Sequence, residues 1–226
     1  MRAGLWLAVL IAFLSTAGAQ APKFRLAPST ELNAEGKQGE AAQKIANRAL
    51  AAFSKGDLIA ARKGFLEVLK LVPGNLPTTI NLGLVEYRAK NFPEAEQLLK
   101  KVVYAAPENG LGWLILGVIY YDQSRLDAAL GALAQAVYLE PKDARAHHYL
   151  GVTIGQKGWY LGAEDEMRKA IALAPDYAEA HFNLAVFYLQ RTPPAVELAR
   201  RHYQEARDLG AAPDPQVEKS IPEPKE

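Results

Sequence analysis

The stretch that decides the fold is 110–141, GLGWLILGVIYYDQSRLDAALGALAQAVYLEP. It holds two helix-length apolar segments, a polar break at Asp122–Arg125 and a stop at Glu140-Pro141. Shifting the frame by 34 residues in either direction recovers the same skeleton. Pro73, Pro107, Pro141 and Pro175 keep that interval, as do Gly83, Gly117 and Gly151, and Ala61, Ala95, Ala129 and Ala163. Three residue types holding one period exclude coincidence. A period of this length marks a helical repeat array, in which each unit is a helix–turn–helix that buries its second face only against a neighbour.

Working outward, five copies are legible. In 42–75, Ile45, Ala49, Ala52 and Phe53 recur at helical steps up to Lys55-Gly56-Asp57, where glycine permits the turn and aspartate caps the next helix. Ala61, Phe65, Val68 and Leu69 then run toward Pro73. The unit 76–109 breaks at Lys90-Asn91, with Pro93 in the first turn of its second helix. The opening stretch is 110–143, and 144–177 breaks at Lys157-Gly158. The last copy, 178–210, inserts two residues at Arg191-Thr192-Pro193-Pro194. There Thr192 is expected to cap a helix beginning at Pro193. Ala199, Tyr203 and Ala206 recover the spacing of Ala163, Met167 and Ala170. Small residues at Ala49, Gly83, Gly117, Gly151 and Ala185 face Ala61, Ala95, Ala129, Ala163 and Ala199, so the two helices of each hairpin approach closely.

These residues resemble the tetratricopeptide repeat family. The third unit carries the fullest signature, in Trp113, Leu116, Gly117, Tyr120, Ala129, Leu133, Ala136 and Pro141. The second keeps Leu82, Gly83, Ala95, Leu99, Val102 and Pro107, and the fourth Leu150, Gly151, Ala163, Met167, Ala170 and Pro175. The first and fifth units keep fewer of these residues. The resemblance implies an all-α, right-handed α-solenoid of five helix–turn–helix repeats over 40–210, acting as a non-catalytic scaffold for protein partners.

Met1–Ala19 reads as a signal peptide. Arg2 gives a positive start, Leu5–Leu14 an apolar run, and Ala17-Gly18-Ala19 a small-residue cleavage pattern. The expectation is an exported protein, periplasmic or secreted, without stable membrane insertion once the leader is removed; a retained anchor is the alternative. Segment 20–39 reads as a linker or arm in which Phe24–Leu26 is apolar enough to dock, and 211–226 as a proline-rich charged tail with at most two helical turns at Pro215–Ser220. Nothing in that tail promises to cover the outer face of 197–209.

Charge is balanced, with 26 basic against 25 acidic side chains and 25 against 25 once Arg2 leaves with the leader. No electrostatic signal for nucleic acid is present. There is no cysteine, which excludes disulfides, thiolate nucleophiles, thiolate metal sites and lipidation after the leader.

Candidates for chemistry are sparse. His147 and His181 occupy the position of Trp113 in successive units and read as packing histidines; no third ligand stands at helical spacing beside them. Glu164, Asp165 and Glu166 read as a solvated face. No serine lies in a nucleophile elbow and no glycine-rich phosphate loop is present. The expectation is no catalytic residue, no metal and no cofactor.

The family lines a concave surface with the first helix of each repeat. Carried over, that stripe is Asn47 in the first unit and Ile80, Asn81, Leu84, Tyr87 and Arg88 in the second. It continues with Leu114, Ile115, Val118 and Tyr121 in the third, His148, Tyr149 and Val152 in the fourth, and Phe182, Asn183 and Val186 in the fifth. Members that clamp a carboxylate use lysine and arginine there; Ala46, Leu50, Ile80, Leu84 and Leu114 leave no such clamp. The expected occupant is a peptide or helix, its apolar side chains buried and its backbone met by the amides of Asn47, Asn81 and Asn183. Self-association within a cell-envelope assembly is the alternative, giving a homo-oligomer.

Overall fold

The computed structural model describes residues 36–221. The expected leader, the arm through Phe24–Leu26 and residues 222–226 lie outside the described residues. Eleven helices and no strand occur among them: α1 Gly36–Ser54, α2 Leu58–Leu71, α3 Leu76–Arg88, α4 Phe92–Ala105, α5 Gly110–Asp122, α6 Leu126–Leu139, α7 Ala144–Gln156, α8 Tyr160–Leu173, α9 Ala178–Leu189, α10 Val196–Asp208 and α11 Pro215–Ser220. No helix among the described residues is long and apolar enough to cross a membrane.

The chain falls into two compact units that divide between Gln123 and Ser124. In the first, α1 packs on α2, α2 on α3, α3 on α4 and α4 on α5. In the second, α6 packs on α7, α7 on α8, α8 on α9 and α9 on α10. Within each unit, consecutive helices from α1 to α5 and from α6 to α10 thus meet, as stacked hairpins require.

The small residues do what their period implies. A Cβ added at Gly83 would stand 2.1 Å from Leu99 Cδ2. One at Gly151 would stand 2.4 Å from Met167 Cε and 3.2 Å from the Ala163 carbonyl oxygen. Ala61, Ala95, Ala129, Ala163 and Ala199 are wholly buried. Turns repeat as faithfully. Gly56, Lys90, Ser124 and Gly158, each 34 apart, all take left-handed backbone conformations, with φ of 80°, 62°, 58° and 80°. Asp57, Asn75, Asn109 and Asp143 cap the helices that follow them through their side-chain oxygens.

Four expectations change. Helix α1 begins at Gly36 rather than Glu40; Gly39 is buried, so packing offsets the roughly 1 kcal/mol that glycine costs a helix. Thr192 caps nothing, and α10 starts at Val196 behind Ala195. The two inserted residues are absorbed in the turn, closed by the Ala195 amide donating to the Tyr188 carbonyl at 3.0 Å. Asp57, Asn91, Arg125 and Trp159 stand at the same place in the earlier turns, so the frame resumes two residues late.

The tail is docked. Val217 of α11 is buried, Tyr203 donates to Glu218 at 3.0 Å, and the Asp214 amide donates to the Tyr203 hydroxyl at 2.8 Å. Part of the outer face of α10 is therefore covered. Finally, the acidic run on α8 is not a solvated face. Only Asp165 is exposed; Glu164 is fully buried and Glu166 largely so.

Candidate functional site on the first helices of the repeats

The stripe residues fall on α1, α3, α5, α7 and α9, the first helix of each hairpin. Thirteen of the sixteen are buried; Asn47 is exposed, and Arg88 and Tyr149 are half-buried.

In the first unit Phe53 on α1 carries the Arg88 guanidinium 4.0 Å over its ring, a contact that ties α3 to α1. The neighbouring Tyr87 donates from its hydroxyl to Asp122 Oδ2 at 2.6 Å, tying α3 to α5. Burial, reinforced by that carboxylate, pushes the Tyr87 hydroxyl above the usual phenol range. Burial also raises the Asp122 carboxyl, against the hydrogen bond from Tyr87 and the charge of Lys90. Ile80, Leu84, Leu114, Ile115 and Val118, on the same two helices α3 and α5, are buried. Asn47 accepts from Gln43 at 3.0 Å.

In the second unit Asn183 Nδ2 lies 2.9 Å from His148 Nε2, and the Tyr177 hydroxyl 3.2 Å from His148 Nδ1. Each ring nitrogen of His148 thus has one partner, so a neutral imidazole satisfies both. Burial takes its pKa down from 6.5 to about 4. The ring also packs edge-on to Tyr149. The Asn183 amide nitrogen is therefore engaged within the protein.

The two packing histidines share one device with Trp113. Trp113 Nε1 donates to the Pro107 carbonyl at 2.8 Å. His147 Nε2 and His181 Nε2 stand 3.0 Å and 3.1 Å from the carbonyls of Pro141 and Pro175. Each ties its helix back to the proline that closes the preceding repeat. Their other nitrogens meet residues that sequence spacing did not reveal: His147 Nδ1 faces Glu166 at 2.6 Å, and His181 Nδ1 faces His202 Nδ1 at 3.0 Å. Both partners come from the second helix of the hairpin, about twenty residues on, where helical spacing along one strand of chain gives no clue. Burial, then the charges of His181, Arg201 and Arg168, lower the pKa of His202 to about 4. No group of three histidine or acidic side chains among the described residues is placed to hold a metal ion.

Two buried carboxylates also escaped the sequence reading. Glu86 receives Arg62 at 2.5 Å and Asn91 at 2.8 Å. Glu164 receives Arg191 through two nitrogens, with Arg168 at 3.5 Å. Each pairing fastens one hairpin to the next rather than presenting charge to solvent.

The arrangement combines buried apolar packing with satisfied polar ties. A tetratricopeptide repeat family model matches residues 80–147 and 156–215. Among solved structures, the chain is similar to MamA (residues 41 to the end) from Desulfovibrio magneticus RS-1, at 19% identity and a TM-score of 0.66, covering 78% of this chain and 97% of that one. Another MamA crystal structure is 24% identical at a TM-score of 0.62, covering 71% and 93%. A structure titled for the functional characterization of Pseudomonas aeruginosa PilF is 19% identical at 0.71, covering 80% and 82%. At these identities the likeness bears on the fold alone. No curated protein sequence matches the chain. With more than half of its residues under the family model and consecutive paired helices throughout the described range, the chain belongs to the tetratricopeptide repeat family, of all-α, solenoid-type fold.

Proposed function

We propose that the protein is a non-catalytic scaffold that holds a peptide or helical segment of a partner protein along the first-helix stripe. The observation that carries this reading is the character of α5, whose GLGWLILGVIYYD sequence is apolar on every side. A helix that needed only one core-facing stripe would show a polar face. Leu114, Ile115, Val118 and Tyr121 are buried in the free protein, so a partner's apolar side chains would reach them only past the solvent-open members of the stripe. Asn47, Arg88 and Tyr149 are the members open to solvent, and first contact falls to them. Export to the periplasm or the medium belongs to the same proposal and rests on the leader-like segment 1–19.

The test is capture of envelope proteins on the exported form, with Asn47→Ala, Arg88→Ala and Tyr149→Ala combined as the comparison. A specific partner retained by the parent and lost by the triple variant supports the stripe; equal retention moves the site elsewhere.

Self-association has its own support. Ile59, Tyr104, Tyr138 and Leu161 are 84, 77, 80 and 70% exposed, and Tyr104 and Tyr138 hold one repeat position. Light scattering at tens of micromolar separates the readings, a strict monomer counting against assembly.

A further inference from the structure

Ile59 on α2 is the most exposed large apolar side chain among the described residues, at 84%, and Leu66 on the same helix is 36% exposed. Lys63 and Lys70 are exposed as well. Steps of four, three and four residues set Ile59, Lys63, Leu66 and Lys70 in one line along α2. Neither lysine has an ion pair among the described residues, whereas Arg62 is taken by Glu86. Glu67 is the single acidic residue of α2, so its outer face is apolar and basic. Exposed apolar groups rimmed by charge mark contact surfaces.

The chain itself supplies an occupant within reach. Ala42 packs in one cluster with Val68, Leu71 and Val72, so the start of α1 lies beside the end of α2. The sixteen residues 20–35, QAPKFRLAPSTELNAE, lead directly into that start. From Ala42 back to Gly36 is roughly 9 Å of helix, and from Leu71 back to Ile59 roughly 18 Å. The segment from Gly36 back to Phe24 extends to about 40 Å, enough to retrace both. Charge runs in the matching order. Glu31 and Glu35, close to the junction, correspond to Lys63 and Lys70 toward the end of α2. Lys23 and Arg25, at the far end, correspond to the exposed Asp57 before its start. Phe24 and Leu26, two residues apart, share one side of an extended segment.

We propose that the outer face of α2 is the docking surface of the chain's own arm, residues 23–35. Phe24 and Leu26 cover Ile59 and Leu66, and Glu31 and Glu35 stand beside Lys63 and Lys70. The arm thus straps the first hairpin from outside and closes its apolar face to other copies of the chain. The surface is separate from the first-helix stripe, where Ile80, Leu84 and Leu114 are 1% exposed, and stands or falls without it.

The experiment is paramagnetic NMR on the ¹⁵N-labelled full chain. The sequence has no cysteine, so Ala27→Cys carries a single nitroxide. The expected result is selective broadening of the amides of 59–70. Lys63→Glu with Lys70→Glu should lower the ratio of docked to free arm about fivefold at unchanged melting temperature. Adding Glu31→Lys and Glu35→Lys should restore it. Phe24→Ser with Leu26→Ser should abolish the broadening. Broadening that survives the lysine reversal overturns the charged register. Broadening centred on Arg88 and Tyr149 places the arm in the stripe, and even broadening along the chain means no docking; both overturn the proposal. A mixture of nitroxide-bearing unenriched chain and ¹⁵N chain without nitroxide should show none at 59–70. Broadening there in the mixture assigns the face to a second copy and overturns it too.

Discussion

Asn183 places its amide nitrogen 2.9 Å from Nε2 of His148, 35 positions earlier in the chain. Tyr87 and Asp122 are joined across the same offset, at 2.6 Å. One residue more than the repeat period sets a side chain of one first helix beside the next first helix. The polar members of the stripe thus hold successive repeats together.

His148 makes stability depend on pH. Its folded pKa of about 4 lies below the ordinary 6.5. Between those values the unfolded chain binds a proton that the folded chain refuses, so stability falls as pH drops from 6.5 and the loss levels off near 4. The full loss is on the order of 3 kcal/mol. Urea melts from pH 7.5 to 4.5 should show this slope, and His148→Gln should flatten it by most of that amount.

Arg191→Ala leaves the fully buried Glu164 carboxylate with Arg168 at 3.5 Å as its remaining cation. The expected destabilisation is about 3 kcal/mol. Arg191→Ala combined with Glu164→Leu should recover more than half of it. Chemical denaturation of the four members of this cycle measures the coupling, and additive losses would contradict it.

Close approach within a hairpin predicts opposite outcomes at two glycines. Gly151→Leu drives atoms into Met167 and the Ala163 carbonyl and should cost about 3 kcal/mol by overpacking. Gly131, on α6, has nothing within 4 Å of an added Cβ. Gly131→Ala should stabilise by about 1 kcal/mol through helix propensity. Thermal melts of both variants check the pair.

The left-handed turn position carries glycine at 56 and 158 but lysine at 90, where φ is 62°. Lys90→Gly should stabilise by about 0.5–1 kcal/mol, and Gly158→Ala should destabilise by about 1 kcal/mol. Differential scanning calorimetry of the two variants gives both signs.

The repeat skeleton was legible because packing imposes it residue by residue. Glycine at 83 and 151 is required by a neighbour's side chain, and Gly56 by a positive φ, so period and structure coincide. Polar partnerships were not legible. Glu164 and Arg191 lie 27 positions apart, a spacing with no relation to the 34-residue period or to a helical turn. They meet across two hairpins, Arg191 in the turn after α9 and Glu164 on α8. The partnership of Asn183 was not legible for a similar reason: its partner, His148, is on the preceding first helix. Leu114 is 1% exposed, so Leu114→Asp would bury a charge and unfold α5 instead of testing binding.

The most direct measurement of partner binding along the first helices is site-specific photo-crosslinking in cells that make the protein. A photoreactive phenylalanine derivative replaces Arg88 or Tyr149 on the stripe, and Tyr104 or Tyr138 on the second helices. A scaffold that works through its stripe gives partner adducts from 88 and 149 and none from 104 and 138. Adducts confined to 104 and 138 would contradict it.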